Sequence, residues 1–327
     1  MALTPKPFLS IDDQIDRLKE RGIAITDDER AKRCLRRIGY YRLSAYWYPF
    51  REFQMGPLQA GTSSATLRSD VFVAGTSFDD VINFYVFDKQ IRVLLSDGLE
   101  RIEIAMRAKI CDLLGKRDPR AHRNPFELDG EFSRKLERNS GQPKHQSWLR
   151  KQDSHFARSR EDFAEHFRNR YPTFVAPIWV ACEVWDWGML SHFFAGMKQS
   201  DKDQIAQNFG PLNGRQLETW LRAMNDVRNI CAHHSRLWNR GLKVIPRLPR
   251  QADMPELSHL PRGNQSLSRL YTVLLMMRVM LRHIHPTNSN WHRRLVDHVL
   301  SGGTASPIIG ASAAGFPVGW ETEPIWA

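Results

Sequence analysis

The chain has few cysteines, no long apolar run and no sustained strand-like alternation, and each shortage removes a class of protein. The four cysteines, Cys34, Cys111, Cys182 and Cys231, lie far apart and form no C-x-x-C pair. Neither a zinc knuckle nor a redox motif is therefore indicated, and the thiols suit the core of a protein in a reducing cytoplasm. The longest apolar run near the C-terminus, Val273 to Met277, is cut by Arg278. No membrane span is expected, and the opening Met1 to Ser10 lacks the apolar centre of a signal peptide. Phosphate-cradling glycine loops, a nucleophile elbow and the H-E-x-x-H metal motif are all missing. Acidic residues are outnumbered, 36 Asp and Glu against 47 Lys and Arg, leaving a formal charge of +11. A surface of that sign suits a polyanion, because neutralising phosphates releases counterions.

What remains is helical. Ser10 with Asp13 reads as a capping box opening a first helix that Gly22 ends, and Thr26 with Glu29 opens a second to about Arg37. Around Gly39, Arg36, Arg37 and Arg42 interleave with Tyr40, Tyr41, Tyr46 and Trp47. That mixture suits base stacking, or a small aromatic core with arginines at its edge, and the core is the favoured reading. Gln54 to Ser69 reads as a flexible loop. A long apolar period runs from Ser77 to about Leu114, with a kink expected near Ser96 to Gly98. Its charges, among them Arg92, Glu103 and Arg107, read by default as a solvated face. His145 to Tyr171 reads as one polar helix and Pro177 to Lys198 as one apolar helix. Ser266 to His283 and Pro286 to Leu300 supply two more. The expectation is an all-α chain in three parts. These are an N-terminal helical and aromatic region over 1–75, a helical core over 76–301, and an irregular tail over 302–327.

The core is organised around Trp220 to Arg240, read as a helix that packs Arg228, Asn229, His233, His234, Arg236 and Asn239 into about three and a half turns. Leu217, Trp220, Leu221, Met224, Val227 and Cys231 share one face, and Arg228 falls among them; Arg222, Asn225, Asp226, Asn229 and His233 form the opposite face. A guanidinium on an apolar face needs a partner or a cavity. Glu183, the lone acid in Ile178 to Trp185, has the matching problem, so an Arg228–Glu183 ion pair is expected. Asn229 stands four residues before His233, where its amide can orient the imidazole. Arg228 and His233 lie roughly 140° apart on an ideal helix. They work together only if the helix distorts near His233 or a second chain contributes; a plain basic helix C-terminus is the bland alternative.

The run Val227 to Arg240, V-R-N-I-C-A-H-H-S-R-L-W-N-R, carries an Arg-Asn pair followed by Ala-His. With Gly39–Leu43 and Tyr46–Phe50, Phe87-Asp88 with Arg92 and Arg101–Glu103, Pro177–Trp179 with Glu183, Gly188 and Ser191, and Gly315–Pro317 with Trp320 and Trp326, it resembles the Abi-like abortive-infection proteins of the AbiD/AbiF type. The Arg–His spacing resembles that of the HEPN superfamily. The resemblance implies a HEPN-like helical bundle, a homodimer that joins two Arg/His motifs in one cleft, and a phage-defence or toxin role checked by an RNA or protein neutraliser.

The expected chemistry is metal-independent RNA cleavage by attack of a 2′-hydroxyl on its neighbouring phosphodiester. The reaction needs a proton carrier that works near neutrality, for which histidine is suited, and a fixed cation shaped for phosphate. His233 and Arg228 are the expected catalytic pair, with Asn229, Glu183, His234 and Asp226 in support. Arg222, Arg236, Asn239, Arg92 and Arg42 complete the expected RNA contacts. No cofactor or metal is expected, although the chain has 12 histidines, because adjacent His233 and His234 diverge by roughly 100° on a helix. The rival reading is a non-catalytic RNA-binding or scaffold protein of the same fold.

Overall fold

The first two helices each begin at a side chain that supplies the hydrogen bond the first turn lacks. In the computed structural model, which describes residues 7–53, 68–284, 290–303 and 310–327, α1 (Ile11–Glu20) opens on the expected capping box. Ser10 Oγ accepts from the Asp13 N–H, and the Asp13 carboxylate accepts from the Ser10 N–H, both at 3.1 Å. The second helix, α2 (Asp28–Ile38), is capped by Asp27 rather than Thr26: its carboxylate accepts from the Arg30 N–H at 2.8 Å. Gly39, at φ 91°, turns the chain directly into α3 (Tyr40–Trp47). Tyr46 and Trp47 of this helix are buried, whereas Tyr41 is exposed, so the aromatic stretch is core on one side only.

A two-stranded antiparallel sheet follows, β1 (Arg51–Phe53) and β2 (Arg68–Phe72). It adds a small sheet to a chain that is otherwise helical, as expected. With three and five residues, the strands are too short for their alternation to stand out. Most of the expected loop, 54–67, lies outside the described residues. Then come α4 (Phe78–Gly115), α5 (Gly130–Ser133), α6 (Lys144–Arg158), α7 (Asp162–Arg170) and α8 (Ile178–Ala181). They are followed by α9 (Trp187–Ala195), α10 (Gln199–Ala206), α11 (Gly214–Ala232), α12 (Asn264–Leu267), α13 (Leu270–Ile284) and α14 (Trp291–Gly303). The fold is all-α apart from the small sheet.

Two expected helices are each broken. The polar stretch from His145 divides into α6 and α7 at Ser159 to Glu161. The apolar stretch from Pro177 divides into α8, a 3-10 turn at Cys182–Val184, and α9. There Asp186 caps a new helix by accepting from the Met189 N–H at 2.7 Å. No helix among the described residues is long and apolar enough to cross a membrane.

The chain divides into two units, residues 1–91 with 298–313 and residues 92–297 with 314–327. Within the first, the Tyr46 hydroxyl donates to buried Asp88 at 2.8 Å, and Tyr46 meets Phe84 edge-on at 5.5 Å. Within the second, α11 packs with α9, α10 and α13. Leu217, Trp220, Leu221, Met224 and Val227 of α11 are fully buried, as the 3.6-residue period predicts. Each such side chain stabilises the fold by about 1.5–3 kcal/mol. At Gly98 of α4, side chains of α13 and α14 pack against the backbone: a Cβ there would lie 2.8 Å from Met277 and 2.9 Å from Trp291. The expected irregular tail holds short 3-10 turns, and its buried Trp326 indole donates to the Tyr271 hydroxyl at 3.2 Å.

Candidate functional site

The site is built on the end of α11. Asn213 caps the start, with Gln216 returning the bond, so the helix is anchored and its register fixed. Its far end differs from expectation. The helix stops at Ala232 rather than running to Arg240, and His233 is the exposed C-cap residue. The Ser235 N–H reaches back to the Ile230 carbonyl and the His234 N–H to the Cys231 carbonyl, both at 3.0 Å. This pair of bonds is the Schellman closure, and it requires a left-handed residue after the cap. His234 fills that position at φ 54°, where glycine is the usual occupant. Asn239 also takes a left-handed conformation, at φ 56°. Such conformations cost of order 1–3 kcal/mol and concentrate at functional sites.

The Arg228–Glu183 ion pair is not formed. Glu183 sits on the 3-10 turn, where the break in the helix leaves its side chain 51% exposed, and it pairs with Arg107 (Nη1–Oε2, 3.6 Å). Arg228 is half-buried and donates to the Asn229 side-chain oxygen at 3.5 Å. The acid whose titration Arg228 influences is Glu103 on α4. Burial pushes the Glu103 carboxyl above its ordinary value, against the pull of Arg107 and then Arg228. Glu103 and Arg107 pair at 2.5 Å with side chains only 16% and 17% exposed, so this turn of α4 is not the solvated face that its spacing suggests. Arg107 also donates to the Trp185 carbonyl at 2.5 Å. A polar cluster thus joins α4 and the turn before α9, and the charge of Arg228 on α11 acts on it.

Sequence reasoning missed two members of that neighbourhood. Arg107 has a signal in the i, i+4 spacing to Glu103, but a charged pair at that spacing is usually on the surface. Asn225 of α11 buries its side-chain oxygen with no hydrogen-bond partner, and a Cβ on Gly188 would come within 3.9 Å of it. Nothing in the sequence separates Asn225 from the other polar residues of its face.

The other expected residues are dispersed. The Asp226 carboxylate accepts from the Lys243 N–H at 3.0 Å, tying down the chain after the motif. Asn229 gives its carbonyl to the His233 N–H at 3.0 Å, but no hydrogen bond joins its amide to the His233 imidazole. Arg92 is buried, at 6% exposure, and donates to the Ser235 carbonyl at 3.3 Å, which places it under the turn that carries His233 and His234. Arg222 is exposed, Arg236 and Asn239 are half-buried, and Arg42 is exposed on α3 of the other unit. Among the described residues, no group of three or more His, Cys, Asp or Glu is placed to hold a metal ion.

Residues 33–239, more than half of the chain and including all of α11 with His233 and His234, match the family described as Abi-like protein. The chain belongs to the Abi-like protein family. For an Abi-like protein the family points to abortive infection, a phage-defence role. No curated protein and no solved structure matches this Abi-like chain.

Proposed function

We propose that this Abi-like protein acts in phage defence as a metal-independent endoribonuclease of the HEPN type. The observation that supports the reading most is the end of α11. Arg228, Asn229 and the exposed His233 stand on its last turn and cap, next to a histidine held in a left-handed conformation. Glycine would fill that position at lower cost, so the local strain favours a role for the side chains there.

In the proposed reaction the 2′-hydroxyl oxygen bonds to the adjacent phosphorus as its proton leaves. The bond from phosphorus to the 5′-oxygen breaks, and that oxygen takes a proton. The products are a cyclic 2′,3′-phosphate and a 5′-hydroxyl. His233 carries a proton in one of these transfers, and Arg228 holds the phosphate oxygens as charge builds on them. Asn229 fixes the Arg228 guanidinium, and the Glu103–Arg107 pair sets the field around it. Two copies of the motif facing one cleft in a homodimer supply both an acceptor and a donor for the two proton transfers. A neutralising RNA or protein would keep such an activity silent until infection.

The test is incubation of the purified protein with total RNA in EDTA, followed by mapping of the ends. Cleavage leaving cyclic 2′,3′-phosphates, with DNA left intact, is the expected result. RNA that is bound but uncut in the absence of any inhibitor would replace this reading with a non-catalytic RNA-binding one.

A further inference from the structure

The N-terminal unit contains a cavity of about 520 Å³ that the α11 motif does not use. That volume falls within the range of small-molecule sites. Arg17 comes from α1, Arg21 from the turn after it, and Arg51 from β1. Asp70 of β2 is the single acid in the lining, and it accepts from both Arg21 (2.7 Å) and Arg51 (3.0 Å). Three guanidinium groups against one carboxylate leave an excess of positive charge. Shared by one carboxylate, Arg21 and Arg51 are held in place, with side chains only 13% and 14% exposed.

Two buried polar atoms of lining residues lack partners. Arg51 Nε is a donor with no acceptor, and Gln14 Oε1 is an acceptor with no donor. The Gln14 amide is oriented, because its Nε2 donates to the Leu9 carbonyl at 2.9 Å. Burying unpaired polar atoms is unfavourable, so the wall behind the cavity carries unmet hydrogen-bonding capacity. The aromatic side of the cavity is equally unusual. Tyr41 is 91% exposed, and Tyr40 rests its ring on the edge of Trp47 at 4.7 Å.

We propose that this cavity binds a nucleotide, with the phosphate held by Arg17, Arg21 and Arg51 and the base stacked on Tyr41 and reached by Gln14. An apolar ligand leaves the arginines unserved. A bare anion leaves the tyrosines without a role. Stacking on aromatic rings beside a cationic track is how proteins hold single nucleotides and strand ends. The nucleotide is either free or the phosphorylated 5′ end of an RNA, and its binding is independent of whether His233 cleaves RNA.

The full-length protein is titrated calorimetrically with the four 5′-mononucleotides, a 5′-phosphorylated RNA tetranucleotide, the same oligomer with a 5′-hydroxyl, a nucleoside and inorganic phosphate. Arg17→Ala and Tyr41→Ala are the variants. The Arg17 guanidinium makes no ion pair among the described residues, and Tyr41 is exposed, so neither change removes core packing. The expected result is saturable binding of a 5′-phosphorylated ligand that each variant weakens by about tenfold or more with melting unchanged. Tighter binding of the phosphorylated tetranucleotide than of any mononucleotide assigns the site to RNA ends; the reverse order assigns it to a free nucleotide. Three results overturn the proposal. They are no saturable binding of any phosphorylated ligand up to about 1 mM, binding that neither variant alters, and inorganic phosphate binding as tightly as the nucleotide. If Tyr41→Ala lowers the melting temperature, Arg17→Gln takes its place and must give the same loss.

Discussion

His122 makes a pH-dependent contribution to stability that can be worked out from its surroundings. The imidazole is fully buried, and neither ring nitrogen has a hydrogen-bond partner. Burial, with the positive charge of Arg123 adding to it, pushes the His122 pKa down to about 3. In the unfolded chain a histidine titrates near about 6.5. Between those values the unfolded state binds a proton that the folded state refuses. Stability from this group is therefore full above about pH 6.5 and falls as pH drops toward about 3. At about pH 5 the loss is roughly 2 kcal/mol, from about 1.5 pH units at about 1.36 kcal/mol each. His122→Leu has no such proton to bind. Denaturant unfolding of both proteins at about pH 7.5 and pH 5 isolates the difference, since the shifts at His145, His192 and His298 are common to both. The variant should lose about 2 kcal/mol less than wild type over that interval. Equal losses would refute the reasoning and mean that His122 is hydrated or paired in solution. A histidine neutral and sealed in this way is also no candidate for proton transfer to RNA, unlike exposed His233.

Arg228→Ala should abolish RNA cleavage and lower stability by about 1 kcal/mol in denaturant unfolding, because Glu103 keeps Arg107 but loses its second cation. His234→Gly should raise stability by about 1 kcal/mol, since glycine adopts the left-handed conformation without the side-chain clash. An unchanged or lower melting temperature would show that the His234 side chain contributes more than the backbone strain costs. Gly196→Ala should destabilise by about 1–3 kcal/mol, because its Cβ would lie 2.2 Å from the Phe132 ring.

The sequence announces α11 clearly, and its misreadings have identifiable causes. The apolar period and the Asn213–Gln216 box define the helix and its buried face. Its end is concealed because His234 occupies a position that glycine normally marks, so the period reads straight on to Arg240. The Glu183 expectation failed for a related reason. Residues 178–195 look like one apolar helix, and only Asp186, as the cap of α9, signals the break that turns Glu183 outward. Glu103 and Arg107 have the spacing of an ordinary surface pair. Their burial depends on the turn at Trp185, which lies 78 residues beyond Arg107 and is invisible to local pattern. The Arg and Tyr stretch after Gly39 was legible as two alternatives, and the favoured core reading holds for Tyr46 and Trp47, whereas Tyr41 is exposed.

The central claim is that His233 carries a proton during RNA cleavage, and it is tested most directly by His233→Ala followed in two assays at once. Wild type and variant are compared for cleavage of RNA in EDTA and for thermal melting. His233 is an exposed cap residue, so the account predicts that cleavage is lost while stability changes by no more than about 0.5 kcal/mol. A variant that still cleaves at the wild-type rate would contradict the assignment. So would one that melts well below wild type when the wild-type protein itself leaves RNA intact, because His233 would then belong to the fold rather than to the chemistry.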